Sequence, residues 1–147
     1  MARKTATGIQ IDGLDEFHSM LREVMPNQAR NILRATVQGV ASDVAKQMRK
    51  RAPRDEGDLR KAIKAKRRRG SPDEIVSEVR IEHGKGAKAN AWYWHFVEFG
   101  TTYTAGTPFI IPTVENMSPQ IPAIFREQFG KKYEQALARI AKRNAKR

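Results

Sequence analysis

Residues 92–112 read Trp-Tyr-Trp-His-Phe-Val-Glu-Phe-Gly-Thr-Thr-Tyr-Thr-Ala-Gly-Thr-Pro-Phe-Ile-Ile-Pro and hold much of the chain's aromatic content. Both tryptophans, two of the three tyrosines and three of the six phenylalanines lie here. Aromatic side chains dominate protein cores and interfaces because of their large apolar area. Gly100 can take a positive φ without steric cost, so the chain is able to turn there. The stretch is therefore predicted to form a packed corner, with residues 108–112 returning apolar groups toward the core.

Within this corner, Glu98 lies between aromatic residues, where a carboxylate is costly unless it is hydrogen-bonded. We therefore expect backbone or arginine donors beside it. The sequence leaves open whether the corner serves the protein's own core or an interface, to which the loop 100–107 would supply a protruding side chain. The residues predicted to build the corner are Trp92, Trp94, Phe96, Glu98, Phe99, Gly100, Thr101, Pro108, Phe109 and Pro112.

The length and composition indicate one domain. The chain has 147 residues, of which 39% are hydrophobic and 30% charged, and it contains no cysteine. No apolar run approaches the roughly 20 residues of a membrane span, and the basic N-terminus lacks the apolar segment of a signal peptide. We expect a flexible arm over 1–13, a single domain over 14–141 and a basic tail over 142–147.

Periodicity predicts the helices and strands. Apolar residues at spacings of three and four predict a short helix over 14–24 and a long one over 28–51, with Asn27 as its N-cap. Alternation predicts a β-hairpin from residues 63–69 and 75–82, joined by turn residues. A last helical pattern begins near residue 120, after the corner.

Between the long helix and the hairpin, residues 51–60 are rich in turn-forming residues. Asp58 caps one helical turn over 59–63 in one interpretation, and the chain enters a strand directly in the other. Pro53, Gly57, Asp58 and Leu59 are the residues expected to shape this turn, with Leu59 seating the hairpin.

The charge is strongly positive. Lysine and arginine number 28 against 16 acidic residues, which gives a net charge of +12. Such a balance indicates a polyanion or an acidic protein surface as a neighbour. Residues 46–69 hold 12 of the 28 cations, an arrangement that could follow phosphates without reading bases. A solvated basic hairpin is the alternative. The predicted contacts are Arg60, Lys64, Lys66, Arg67, Arg68 and Arg69.

Catalytic patterns are weak. His95 and Glu98 are three residues apart but occur once, without the further ligands of a metal site. Residues 84–88 lack the spacing of a phosphate-binding loop. Asp55, Glu56 and Asp58 alternate with arginines, which favours local ion pairing. We expect no enzyme activity, no metal and no cofactor.

Three motifs together resemble a known family. They are residues 52–60, Ala-Pro-Arg-Asp-Glu-Gly-Asp-Leu-Arg; residues 97–101, Val-Glu-Phe-Gly-Thr; and residues 108–112, Pro-Phe-Ile-Ile-Pro. The chain is similar over about 14–140 to the tail-component and morphogenesis family of long-tailed bacteriophages, which includes tail-completion proteins such as protein Z of phage lambda. Glu56 and Ile110 depart from the threonine and leucine typical of the family.

The resemblance implies an α+β fold, in which a small antiparallel sheet is flanked by a long N-terminal helix and a C-terminal helix. It also implies a structural virion protein of the neck or tail, assembled in the host cytoplasm as a ring through which DNA passes. Six subunits are expected first and twelve as the alternative. The implied partners are the stopper, the tail terminator, the tail tube and phage DNA. The competing hypothesis is a stand-alone nucleic-acid-binding protein without sequence preference.

Overall fold

A computed structural model describes residues 26–54, 57–70 and 74–147. The fold class is α+β, as predicted, and it combines a long helix, a two-stranded antiparallel sheet and a C-terminal helix. The arm expected over 1–13 and the helix expected over 14–24 lie outside the described residues. The elements are α1 (Pro26–Arg51), α2 (Asp58–Ala62), β1 (Ile63–Arg68), β2 (Val76–Ile81), α3 (Trp94–Phe99), α4 (Ile110–Met117), a 3-10 turn (Ser118–Gln120) and α5 (Ile121–Ala145).

Helix α1 is the scaffold on which the other elements pack. Its 26 residues give a length of about 39 Å at 1.5 Å per residue. The helix begins at Pro26, which a first turn tolerates because the first amides have no partner within the helix. Asn27 therefore lies inside the helix, and its predicted role as N-cap is wrong. The helix ends at Arg51, before Pro53, as expected.

Helix α5 packs antiparallel to α1 along residues 32–44. Gln128 donates to the carboxylate of Asp43. One turn earlier in α1, a side chain at Gly39 would meet Gln128 and Lys132, which lies one turn later in α5, so the two helices run in opposite directions. The contact is apolar, and Phe129, in its centre, is fully buried. The buried residues of this cluster are Ile32, Val40, Ile121, Phe125, Phe129 and Tyr133.

The hairpin packs on α1 through Gln38 and Arg49. Strands β1 and β2 pair with Ile63 opposite Ile81 and Arg68 opposite Val76. The Gln38 amide donates to the carbonyl of Ala65 and accepts from the hydroxyl of Ser77, and Arg49 donates to the carbonyl of Ile63. These bonds fix the sheet against one face of the helix.

The turn before the hairpin forms a short helix, as the first interpretation of its sequence has it. Gly57 takes φ 83° and holds the N-cap position of α2, in which Asp58 is the first residue. The predicted cap at Asp58 is therefore wrong, and a short helix leads into the strand. Leu59 is buried. Arg60 donates two hydrogen bonds to the carbonyl of Ala52, which closes the turn onto the end of α1.

None of the helices in the described ranges combines the length and apolar character that a bilayer span requires.

We predict that Phe129→Ala lowers the free energy of unfolding by about 3–5 kcal/mol, because it leaves a cavity between α1 and α5. Leu137→Ala, on the same helix but 43% exposed, is the matched control and should cost less than about 1 kcal/mol. Urea unfolding followed by circular dichroism measures both. Equal losses would contradict the assigned packing.

Candidate functional site

Glu98 is the centre of the corner. It lies in α3 and is only 2% exposed. Its Oε2 accepts hydrogen bonds from the amides of Phe109 (2.7 Å) and Ile110 (2.9 Å), and its Oε1 accepts from the amide of Ile111 (3.0 Å). The expectation of backbone donors is confirmed. The positive end of the α4 dipole also stabilises a carboxylate at this position.

The three bonds complete the first turn of α4. The first amides of a helix have no partner within it. Glu98 accepts from the N-cap residue Phe109 and from the first two helical residues, and Pro112, the third, has no N–H to satisfy. The sequence analysis expects residues 108–112 to return apolar groups toward the core and does not predict the helix α4 that begins there.

Two glycines hold the base of the loop 100–107. Gly100 takes φ 78°, as its predicted turn requires. A Cβ at Gly100 would lie 2.5 Å from the nitrogen of Gly106, and one at Gly106 would lie 2.8 Å from the carbonyl of Glu98. The amide of Thr107 donates to the carbonyl of Val97 at 2.7 Å. The backbones therefore pack directly on each other and keep residues 98 and 109 together.

The tip of the same loop is ordered by Thr101. Its hydroxyl accepts from the amides of Tyr103 and Thr104, and its own amide donates to the carbonyl of Thr104. The side chain of Tyr103 is 97% exposed at this tip. A short hydrogen-bonded turn thus presents one aromatic ring to solvent.

The corner is packed on one side only, and most of its aromatic side chains are exposed, which leaves the interface alternative open. Phe109 is fully buried among Ala45, Met48 and Ala52 of the α1 end, while Trp94 is half-buried. By contrast, five of the six large hydrophobic side chains exposed in the described ranges lie between residues 92 and 111. Those five are Trp92, Phe96, Phe99, Tyr103 and Ile111.

The split follows from the short helix α3. Phe96 and Phe99 are three residues apart and share its outer face, while Glu98 points inward. The ring of Trp92 makes an edge contact with that of Phe96, with centroids 6.2 Å apart. We call the side chains of Trp92, Phe96, Phe99 and Tyr103 the aromatic surface.

A groove of about 370 Å³ lies beside the aromatic surface. Pro53, Gly57 and Leu59 form one wall, and Phe96 with Val97 contributes another. Thr101, Thr104, Ala105 and Thr107 of the loop complete it. The structure therefore brings the turn at residues 53–59 and the corner, which are about 40 residues apart in sequence, to one place.

The predicted basic contacts divide between structural and exposed positions. Arg60 is engaged with the carbonyl of Ala52, whereas Lys64, Lys66 and Arg68 are exposed and alternate along β1. Lys66 donates to the carboxylate of Glu82, and this hydrogen bond lowers the pKa of Glu82 below its ordinary value. Arg67 and Arg69 lie at the end of the hairpin and are also exposed.

His95 does not form a metal site with Glu98. Its ring stacks on that of Trp94 with centroids 3.7 Å apart, and Glu98 is occupied by backbone amides. Throughout residues 26–54, 57–70 and 74–147, no three potential histidine, aspartate or glutamate ligands come together.

We predict that Glu98→Ala lowers the free energy of unfolding by about 3 kcal/mol, because one buried and two partly buried amides lose their acceptor. Glu98→Gln should cost less, since one carbonyl oxygen remains. Thermal unfolding measures the loss, and faster hydrogen exchange at the amides of 109–111 locates it.

Glu115→Ala, an exposed acidic position on α4, is the control for loss of charge alone. A Glu98→Ala protein as stable as this control would contradict the assigned bonds.

The chain matches a known protein family over a segment that contains α1, the hairpin and α3. A family model described as "Bacteriophage HK97-gp10, putative tail-component" matches residues 15–100, more than half of the chain. The match includes α1, the turn, the hairpin and the corner as far as Gly100. No curated protein and no solved structure matches the chain. The chain belongs to the HK97-gp10-like family of bacteriophage tail components and is a structural protein of the virion.

Proposed function

We propose that this protein is a tail-completion or neck component that joins head and tail, and that it assembles as a closed ring through which DNA passes. Its role is assembly rather than catalysis. The observation that carries the proposal is the aromatic surface, which a tail component would use to bind other virion proteins.

The aromatic surface has the character of an interface. Large exposed apolar patches are uncommon on monomeric proteins and mark sites of association. Tyr, Trp and Phe are also the residue types enriched in the centres of protein interfaces. Trp92 is 61% exposed and Phe99 is 69% exposed, so association would remove a large apolar area from water. The adjacent groove is suited to an apolar side chain of the neighbouring subunit.

A ring of this chain carries a high charge. Six copies at +12 would carry 6 × 12 = +72, and like charges at this density repel unless they are neutralised. DNA in the lumen, or acidic surfaces of the stopper, tail terminator or tail tube, would neutralise them. The exposed cations of β1 are proposed to face one of these partners. Six subunits remain the first expectation and twelve the alternative.

The mass of the purified full chain, alone and with neighbouring tail proteins, tests the proposal. We predict a closed ring in at least one condition. Phe99→Ser and Tyr103→Ser should abolish it while leaving circular dichroism and thermal stability almost unchanged, because both side chains are exposed.

Leu137→Ser is the matched control, since Leu137 is an exposed apolar residue outside the corner. A protein that stays monomeric in every condition would contradict the ring. Equal loss of assembly in the Leu137 variant would contradict the role of the aromatic surface.

A second candidate function is a stand-alone, sequence-independent nucleic-acid-binding protein. The exposed lysines and arginines of β1 favour it, whereas the aromatic surface has no role in it. A persistent monomer whose DNA affinity falls steeply with salt would support this function over the ring.

A further inference from the structure

We infer that Arg34, Arg67, Arg68 and Arg69 form a binding pocket for the phosphodiester backbone of duplex DNA. The inference rests on the proposed function and names the partner of its basic surface. Arg34 was not among the predicted contacts, because it precedes the hairpin arginines by more than 30 residues and lies on another element.

The pocket has a volume of about 320 Å³ and lies between α1 and the turn end of the hairpin. Gln38 explains why Arg34 takes part. The side-chain amide of Gln38 is hydrogen-bonded to Ala65 and Ser77 of the hairpin. Arg34 lies one turn earlier on the same face of α1. The side chain of Arg34 thus reaches the part of the hairpin where the three consecutive arginines lie.

The backbone holds the hairpin end in a narrow shape. A Cβ at Gly70 would lie 2.8 Å from the carbonyl oxygen of Glu74. The backbone segments that follow β1 and precede β2 therefore approach too closely for any side chain at position 70. Gly70 and Glu74 both line the pocket. This close approach holds the arginines at 67–69 beside residues 74–77, which form the other wall of the pocket.

Among the described residues, positive charge predominates in the pocket. Four guanidinium groups line it against one carboxylate, that of Glu74. None of the ion pairs identified in the described ranges involves these four arginines. The excess of arginine over carboxylate in the pocket is one that an external anion would balance.

The arrangement favours phosphates over the carboxylates of an acidic protein. Lys64, Lys66 and Arg68 share the face of β1 opposite to Arg67. Lys66 is paired with Glu82, so the positive charge of the pocket comes from the four arginines. A DNA backbone supplies a negative charge at every nucleotide, whereas acidic side chains reach four clustered arginines only when a partner's sequence places them together. The pocket also uses arginine alone, whose planar fork binds phosphate oxygens in pairs.

The test is the affinity of the full chain for a 20-base-pair duplex of arbitrary sequence, measured by fluorescence anisotropy across a salt series. The Arg34→Ala, Arg67→Ala, Arg69→Ala triple variant should reduce the slope of log affinity against log salt by about 2–3, as expected for two or three lost phosphate contacts. The matched control is the Arg139→Ala, Lys142→Ala, Arg143→Ala triple variant of α5, which removes the same charge and should change the slope by less than about 1.

Two further arms address the chemistry. Substituting the same three arginines by lysine should weaken binding at constant charge, because the paired hydrogen bonds are lost. A glutamate homopolymer should compete for the protein less strongly than an equal charge of unlabelled duplex. Equal losses in the two alanine variants, full affinity in the lysine variant or equal competition by polyglutamate would each overturn the inference.

The outcome is separable from that of the ring. A protein that assembles but shows no specific loss in the pocket variant overturns the phosphate pocket alone. A monomer whose DNA affinity depends on the pocket overturns the ring and leaves the pocket in place.

Discussion

The corner depends on one buried carboxylate. Glu98 accepts three amide hydrogen bonds at the start of α4, so a negative group replaces the water that would otherwise solvate that helix end. The same contact joins α3 to α4 and positions Phe109 in the core at the end of α1. Glu98 anchors the inner side of α3, and the outer side of the helix carries the exposed side chains of Phe96 and Phe99.

The sequence predicts the regular parts of the fold because their signals are local. The apolar periodicity of residues 28–51 and the alternation of residues 75–82 each report a single buried face, and both elements form as predicted. That hydrogen-bond donors lie beside Glu98 was also predictable, since a carboxylate among aromatic residues needs them. Their identity was not, because the donors lie at the start of α4, which begins twelve residues later and has no predicted helical pattern.

The remaining errors concern which side of an element faces solvent. A cluster of aromatic residues indicates a large apolar area but not whether that area is buried within one chain or left for another. Only the packing of α3 separates Trp94, which is half-buried, from Trp92, which is exposed. Likewise, a run of arginines does not reveal a cation on another element, and Arg34 joins the hairpin only through the helix register that Gln38 sets.

The contact between Gly100 and Gly106 has a consequence for how the subunit associates. The loop that carries Tyr103 is closed at its base by backbone packing and at its tip by Thr101, so its shape is set before any partner arrives. A surface that is already ordered loses little conformational entropy on binding, and more of the apolar area that it buries appears as affinity. In the proposed assembly, the two glycines would thus favour association by setting the shape of the loop, although they have no side chains to offer a neighbour.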